Sequence, residues 1–286
     1  MTEDRLSFNE LLSAQWAEGR YLCVGLDTDV KKIPESFCAG EDPAIRLLEY
    51  NKRIIDATSD LVCAYKPNSA FYEALGSSGI DALEKTIDLI NTSSPSVPVI
   101  VDAKRADIDN TNIGYVSFIF EYLGADAVTV HPYLGGEALA PFLRKERKGV
   151  FVLARTSNNG AAEFQDLEVD GRPLYLAVAE RVATGWNSAG NCGLVVGATY
   201  PEELRLIREA VPATMPILVP GIGSQGGDLE AAVAAGSRSG ECALIINASR
   251  SIIFASEGDD FEERARAEAH RLSEGITRAV SSLSPN

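Results

Sequence analysis

Residues 98–132 read PVIVDAKRADIDNTNIGYVSFIFEYLGADAVTVHP. An apolar, β-branched run at 98–104 is followed by an amphipathic stretch at 112–123 and by a second apolar run at 127–132. Nearly continuous hydrophobicity marks a strand covered on both faces, and the helical period between the runs supplies the cover. The stretch is a strand–helix–strand unit of a parallel sheet.

The same unit repeats outward in both directions. Further apolar runs lie at 21–27 (YLCVGLD), 61–67 (LVCAYKP), 149–156 (GVFVLART), 192–199 (CGLVVGAT), 216–223 (PILVPGIG) and 242–250 (CALIINASR). Helix-competent segments lie at 43–57, 79–91, 201–210, 227–235 and 260–283. The fourth run of helix, at 201–210, opens with Pro201-Glu202-Glu203, a favourable helix start, and the one at 227–235 stops at Gly236. Eight strands alternating with helices over about 250 residues fit a (β/α)8 TIM barrel, with an open doubly wound sheet as the alternative. No linker or composition break interrupts the alternation, so one domain is expected across residues 1–286. Residues 3–19 predict an extra N-terminal helix plugging the barrel bottom. Residues 157–173 (SNNGAAEFQDLEVDGRP) form a long polar connection, a length that suits a lid or binding loop.

Composition narrows the function. Among 286 residues, 26 Lys and Arg face 41 Asp and Glu, a net charge of −15. Such a surface repels polyanions and anionic membranes, yet a few cations inside a pocket can still hold a small anion. Cys23, Cys38, Cys63, Cys192 and Cys242 form no CxxC pair and read as small buried hydrophobes of a reducing compartment. With only His131 and His270, a histidine-based metal site is not expected. The opening MTEDRLSFNELL is too polar for a signal peptide, and no run of roughly 18 apolar residues is present, so a cytoplasmic enzyme is expected.

Charges at the ends of apolar strands are the informative residues. The first run ends in Asp27, the second carries Lys66 and the third ends in Asp102-Ala-Lys104, followed by Asp107. In a barrel these ends converge on the face where active sites are built. Residues i and i+2 of a strand share a face, so Asp102 and Lys104 are expected to point together into the mouth. The bland reading is a structural Lys–Asp network, but several unlike charges clustered at strand ends are costly to desolvate. The functional reading is a protonated Lys104 held between carboxylates as a proton donor, with Asp102 an ionised carboxylate aimed at the reacting atom.

VDAKRADIDNT at 101–111 resembles the DxKxxDI signature of the orotidine 5′-phosphate decarboxylase family, and CAYKPNSAFYE at 63–73 resembles an element of its longer bacterial and archaeal subgroup (type 2). CVGLD, ARTSN and VPGIGSQGG are similar to that subgroup as well, so the resemblance runs from Tyr21 to about Ala255. The DxKxxDI element is shared with metal-dependent sugar-phosphate decarboxylases and aldolases, which carry an acidic residue where this chain has Lys66. Those relatives supply the alternative function.

The resemblance implies decarboxylation of orotidine 5′-phosphate (OMP) to UMP with no metal and no organic cofactor. It implies that Asp27 and Lys66 bind ribose hydroxyls, that Lys66 fixes Asp102, and that Asp102 faces the substrate carboxylate. It further implies that Lys104 protonates C6, that Ser157 reads the pyrimidine edge, with Thr156 a weaker candidate, and that the enzyme is a homodimer. The resemblance also implies that Asp107 and Thr111 reach into the partner's site, with Ile108 packing beside them.

Phosphate calls for donors and positive charge, and barrels place them in the loops after strands seven and eight. Here those are Gly221-Ile-Gly223-Ser-Gln225-Gly226-Gly227 and Asn247-Ala-Ser249-Arg250. Gly221 and Gly223 permit close backbone approach, and the resemblance assigns Gln225 and Arg250 the phosphate grip. Gly221, Gly223 and Gly226 also satisfy GxGxxG, but a dinucleotide fingerprint opens a domain and has its acidic residue at the end of the next strand, whereas Glu241 precedes that strand. A binding protein of the same shape would need no Lys104. His131 is expected to be a wall residue, Trp16 and Trp186 packing residues, and residues 257–263 a solvated helix start; Arg155 is either structural or directed at the loop that follows it.

Overall fold

The computed structural model describes residues 5–222 and 227–283. Among them, eight strands share one parallel sheet: β1 (Leu22–Leu26), β2 (Ala64–Pro67), β3 (Ile100–Arg105), β4 (Ala127–Val130), β5 (Gly149–Arg155), β6 (Cys192–Val196), β7 (Ile217–Pro220) and β8 (Leu244–Ala248). In space they run β2-β1-β8-β7-β6-β5-β4-β3. Bridges Tyr65↔Val99 and Asn68↔Asp102 join the two ends of that order. The sheet therefore closes as a (β/α)8 barrel, and the open-sheet alternative is excluded.

Among the described residues eleven α-helices accompany the strands. They are α1 (Phe8–Ala17), α2 (Pro43–Thr58), α3 (Ser69–Glu73), α4 (Gly76–Ser93), α5 (Asp109–Val116), α6 (Gly135–Leu143), α7 (Leu174–Arg181), α8 (Pro201–Ala210), α9 (Leu229–Gly236), α10 (Arg250–Ile253) and α11 (Phe261–Ser281). Their starts follow local chemistry: Asp42 accepts the Ala44 N–H ahead of Pro43, and Asp228 accepts the Ala231 N–H ahead of α9. The segment expected at 112–123 starts earlier, as α5, and finishes as a π-helical turn at Ser117–Tyr122. Helix α6 was hidden from the pattern by its Gly-Gly start and by Pro141 within it. None of the described helices is long and apolar enough to cross a membrane.

Helix α1 is shorter than the 3–19 expected, and it plugs the barrel. Ser7 and Glu10 form a capping box at its start. Its Phe8 and Leu12 enter an interior cluster with Cys23, Cys63, Ala64, Ile100, Ala127, Phe151, Val195, Leu218 and Ile245. Phe8 meets Phe151 edge-on at 5.5 Å, and a side chain at Gly149 would collide with the Phe8 ring. Burying each of these large side chains is worth about 1.5–3 kcal/mol. Trp16 packs on the same cluster and donates its indole N–H to the Leu244 carbonyl at 2.9 Å. All five cysteines are free thiols, and burial pushes the Cys23 thiol up to about 12, far from a reactive thiolate.

Strand periodicity turns this apolar plug into a floor. Moving two residues along from Ala64, Ile100, Ala127, Phe151, Leu218 and Ile245 reaches Lys66, Asp102, Thr129, Leu153, Pro220 and Asn247. All six line one cavity at the C-terminal mouth.

Candidate active site

The mouth cavity encloses about 500 Å3. Its charged lining consists of Asp27, Lys66, Asp102, Lys104 and Arg250, three cations against two carboxylates. The local balance is thus positive within a protein of net charge −15, which suits an anionic ligand.

Four of these groups form a chain of contacts. Lys66 Nζ lies 3.1 Å from Asp102 Oδ2 and 3.5 Å from Asp27 Oδ1. Lys104 Nζ donates to Asp102 Oδ1 at 2.6 Å. Burial pushes the Asp102 carboxyl up, but Lys66 and Lys104 outweigh it and hold the group well below the usual carboxylate range. Burial alone would push Lys66 down, and the Asp102 and Asp27 carboxylates reverse that, keeping it charged. Asp102 is therefore an anion between two ammonium groups. The Lys66 side chain is only 4% exposed whereas that of Lys104 is 48% exposed, so Lys104 is the one open to a ligand.

Asp102 and Lys104 meet, as expected, but not as consecutive inward residues of a regular strand. Val101 pairs with Val128, and the next partner on β3, Arg105, pairs with Val130, so β3 carries two extra residues there. Lys104 takes up the excess with φ of +46°. This left-handed conformation is costly for a non-glycine residue and clusters at functional sites. Thr129 stands opposite the irregularity. Its hydroxyl donates to Asp102 Oδ1 at 2.8 Å and accepts the Lys104 backbone N–H at 3.0 Å.

Thr156, Ser157 and Gly221 also line the cavity, and Gly221 has φ of +105°. Gly227 donates its N–H to the Gly221 carbonyl at 3.3 Å, tying together the ends of the glycine-rich loop. The expected site residues Gly223 and Gln225 lie outside the described residues. Arg250 reaches the cavity from the first residue of α10. Gly25 lets this edge of the barrel close up, because a Cβ there would sit 2.8 Å from Ser249 Cβ. Asn247 Oδ1, buried in the cavity wall, has no hydrogen-bond partner among the described residues.

The loop at 157–173 is anchored. Arg155, 2% exposed, pairs with Asp166 at 2.7 Å, donates to the Thr156 carbonyl at 2.8 Å and lies 4.0 Å from the Tyr200 ring centroid. Gln165 accepts the Thr156 N–H at 2.8 Å and donates to Thr156 Oγ1 at 2.9 Å. Arg155 is thus structural and also directed at the loop. Within it, Glu168–Val169 and Arg172–Pro173 form a hairpin whose Asp170-Gly171 turn has positive φ at both positions. His131 is a bracket: its Nδ1 accepts the Tyr133 N–H at 3.3 Å, which leaves Nε2 to donate to the Ala106 carbonyl at 3.2 Å.

Asp107, Ile108 and Thr111 do not line their own chain's cavity. Asp107 Oδ1 accepts the Ile108 N–H, and Asn112 accepts the Asp107 N–H at 2.8 Å, which fixes the turn into α5. Ile108 is 59% exposed, and Ile113 and Tyr133 are exposed with it. The lining residues that the sequence did not single out are chiefly Thr129 and Gln165. Strand period from Ala127 could have found the first; the second arrives only because the loop folds back.

Comparison with known proteins places this site in context. The family described as "Orotidine 5'-phosphate decarboxylase / HUMPS family" matches residues 20–265. The chain is 52% identical over 277 residues to the orotidine 5′-phosphate decarboxylase of Thermomicrobium roseum, covering 96% of each. Among solved structures, the OMP decarboxylase of Leishmania donovani superposes with a TM-score of 0.84 at 39% identity, over 96% of this chain and 99% of that one. The UMP synthase of the same organism gives 0.87 at 40% identity over 98% of this chain, which spans only 58% of that longer protein. With most of its length matched and half its residues shared with a curated member, the chain belongs to the orotidine 5′-phosphate decarboxylase family.

Proposed function

We propose that this chain converts OMP to UMP and carbon dioxide without a metal or organic cofactor. The observation that carries the reading is the Lys66–Asp102–Lys104 array, with an ionised Asp102 held against an accessible Lys104 ammonium at the barrel mouth. A substrate carboxylate on C6 would lie against the Asp102 anion and lose stability there; breaking the C6–carboxylate bond leaves its electron pair on C6 and removes that repulsion. Lys104 stabilises the developing charge and gives C6 a proton, becoming a neutral amine that regains a proton from water. Each tenfold of rate requires about 1.4 kcal/mol, and a positioned ammonium supplies several such factors once bound substrate excludes water from it.

The remaining lining divides along the substrate. Asp27 and Lys66 take the ribose hydroxyls, and Ser157, with Thr156 beside it, faces the pyrimidine edge. Arg250 grips the phosphate with the backbone of Gly221; Gly223 and Gln225 are assigned to the same end on resemblance alone. Asp107, Ile108 and Thr111 would complete the site of a second copy across a two-fold interface, supported by the exposure of Ile108 and Thr111 and of the apolar Ile113 and Tyr133, with Asp107 half-buried at the turn. One continuous core from Leu22 to Ala279 supports a single domain, and five free thiols favour the cytoplasm.

The metal-dependent alternative fits the site poorly. Both carboxylates of the mouth, Asp27 and Asp102, are engaged by the Lys66 ammonium, which supplies the charge a divalent cation would bring. The test is to add OMP to EDTA-treated protein and follow pyrimidine absorbance. Turnover is expected. No turnover overturns the reading, and magnesium-dependent turnover of a sugar phosphate supports the alternative.

A further inference from the structure

We propose that Thr129 is a positioning residue for the reaction: one hydroxyl sets both the Asp102 carboxylate and the left-handed backbone of Lys104. The kinetic part of this inference rests on the decarboxylase reading.

The polarity of the contact pair is fixed by chemistry. An ionised carboxylate only accepts, and a backbone N–H only donates. The Thr129 proton must therefore point at Asp102 Oδ1, 2.8 Å away, while its oxygen takes the Lys104 N–H at 3.0 Å. The side chain has no rotational freedom left, since Thr129 is 1% exposed and its β-branched χ1 is locked by packing.

What this bracket holds is a conformation the chain would not otherwise keep. Where β3 carries its two extra residues, the regular ladder to β4 is interrupted between Val101 and Arg105. The Lys104 N–H finds the Thr129 side chain there instead of a strand carbonyl. Lys104 sits at φ of +46° with a flexible four-carbon side chain that is 48% exposed. Of the contacts around it, the Asp102 carboxylate holds the ammonium end and Thr129 holds the backbone end. Because Asp102 is itself held by Thr129, a single hydroxyl couples the proton donor to the anion that works beside it.

A threonine merely satisfying its own hydroxyl in a strand would affect stability alone. Thr129→Val keeps the shape and removes the bracket. For Thr129→Val, kcat with OMP should fall about 10- to 100-fold while KM and UMP affinity stay within about threefold, since a hydrogen bond to a charged group is lost from the reacting end only. Thr129→Ser should restore most of the rate. Independently of substrate, the Lys104 amide should exchange with solvent at least about tenfold faster in Thr129→Val, with Val101 and Val130 unchanged as internal references. If Thr129→Val does not fold, Thr129→Ala takes its place in both measurements. Unchanged Lys104 exchange overturns the bracket. Unchanged kcat, or a loss confined to KM, overturns the positioning role. If the unmodified protein itself does not turn over OMP, the decarboxylase reading fails, whereas the exchange result still decides whether Thr129 holds Lys104.

Discussion

Replacing Lys66 with methionine removes the ammonium that lies 3.1 Å from Asp102 and 3.5 Å from Asp27, while leaving an unbranched chain to fill the space. The Asp102 side chain is 12% exposed, so water cannot make good the loss. Removing one partner from a buried ion pair costs about 3–5 kcal/mol. Asp102 keeps Lys104 and the Thr129 hydroxyl, which puts the expected loss at the lower figure, about 3 kcal/mol. At roughly 2–4 °C per kcal/mol, the melting temperature should fall by roughly 6–12 °C.

The same loss should depend on pH with a definite sign. The folded-state pKa of Asp102 is depressed, so its contribution is complete above the unfolded value of about 3.9 and fades as pH falls through the folded one. That of Lys66 is raised, so its contribution is complete below about 10.4 and is lost only as pH rises past that value. In Lys66→Met the Asp102 carboxyl moves up. The deficit against the unmodified protein should therefore be largest between about pH 5 and 10 and should shrink as pH falls below about 4. Urea unfolding of both proteins at about pH 7 and about pH 3.5 measures it. A deficit below about 1 kcal/mol at neutral pH, or one as large at the acid pH, would refute the account of Lys66 as the buried counter-ion.

Lys104→Ala should abolish nearly all decarboxylation while UMP binding stays measurable, because its role as C6 donor is expressed in the transition state; parallel turnover and UMP titration check this. Arg250→Ala should weaken OMP binding and slow turnover at low substrate, by about 1.5–3 kcal/mol for a lost charge-assisted fork. Orotidine without phosphate should be indifferent to that change, and equal harm to both substrates would take Arg250 out of the phosphate site. Lys104→Ala and Asp107→Ala proteins, mixed equally, unfolded together and refolded, should regain activity at about a quarter of all sites through mixed dimers. Mixed dimers without recovered activity would rule out a site shared between subunits.

The parallel strand–helix alternation was legible because its strands are buried on both faces, as in Val99-Ile100-Val101 and Val150-Phe151-Val152, and strand bounds moved by only a few residues at the turns; closure into a barrel was favoured by the count of eight strands and is fixed by the bridges between β2 and β3. The charged centre was legible for the converse reason, since Lys66 and Asp102 break runs that have no structural need of charge. Thr129 escaped notice because threonine is an ordinary strand residue, and only its distance to Asp102 separates it from the others. The departure of β3 from regular pairing, with Lys104 at positive φ, has no sequence signature. The Asp170-Gly171 turn does have one, a pair that favours positive φ inside the polar connection at 157–173, while the closing of that loop on Thr156 through Gln165 depends on contacts nine residues apart in an irregular segment.

The irregular pairing of β3 with β4 bears on how such chemistry spreads between scaffolds. An Asp-x-Lys tripeptide grafted onto a flat strand would bring the right side chains but neither the extra residues opposite β4 nor the turned lysine backbone. The smallest transplantable unit is three neighbouring strands: β3 carrying the carboxylate and the ammonium, β4 lending the hydroxyl that sets them, and β2 lending the Lys66 counter-ion. A designer copying this centre into a new barrel should move residues 64–67, 100–105 and 127–130 together, with their mutual register intact.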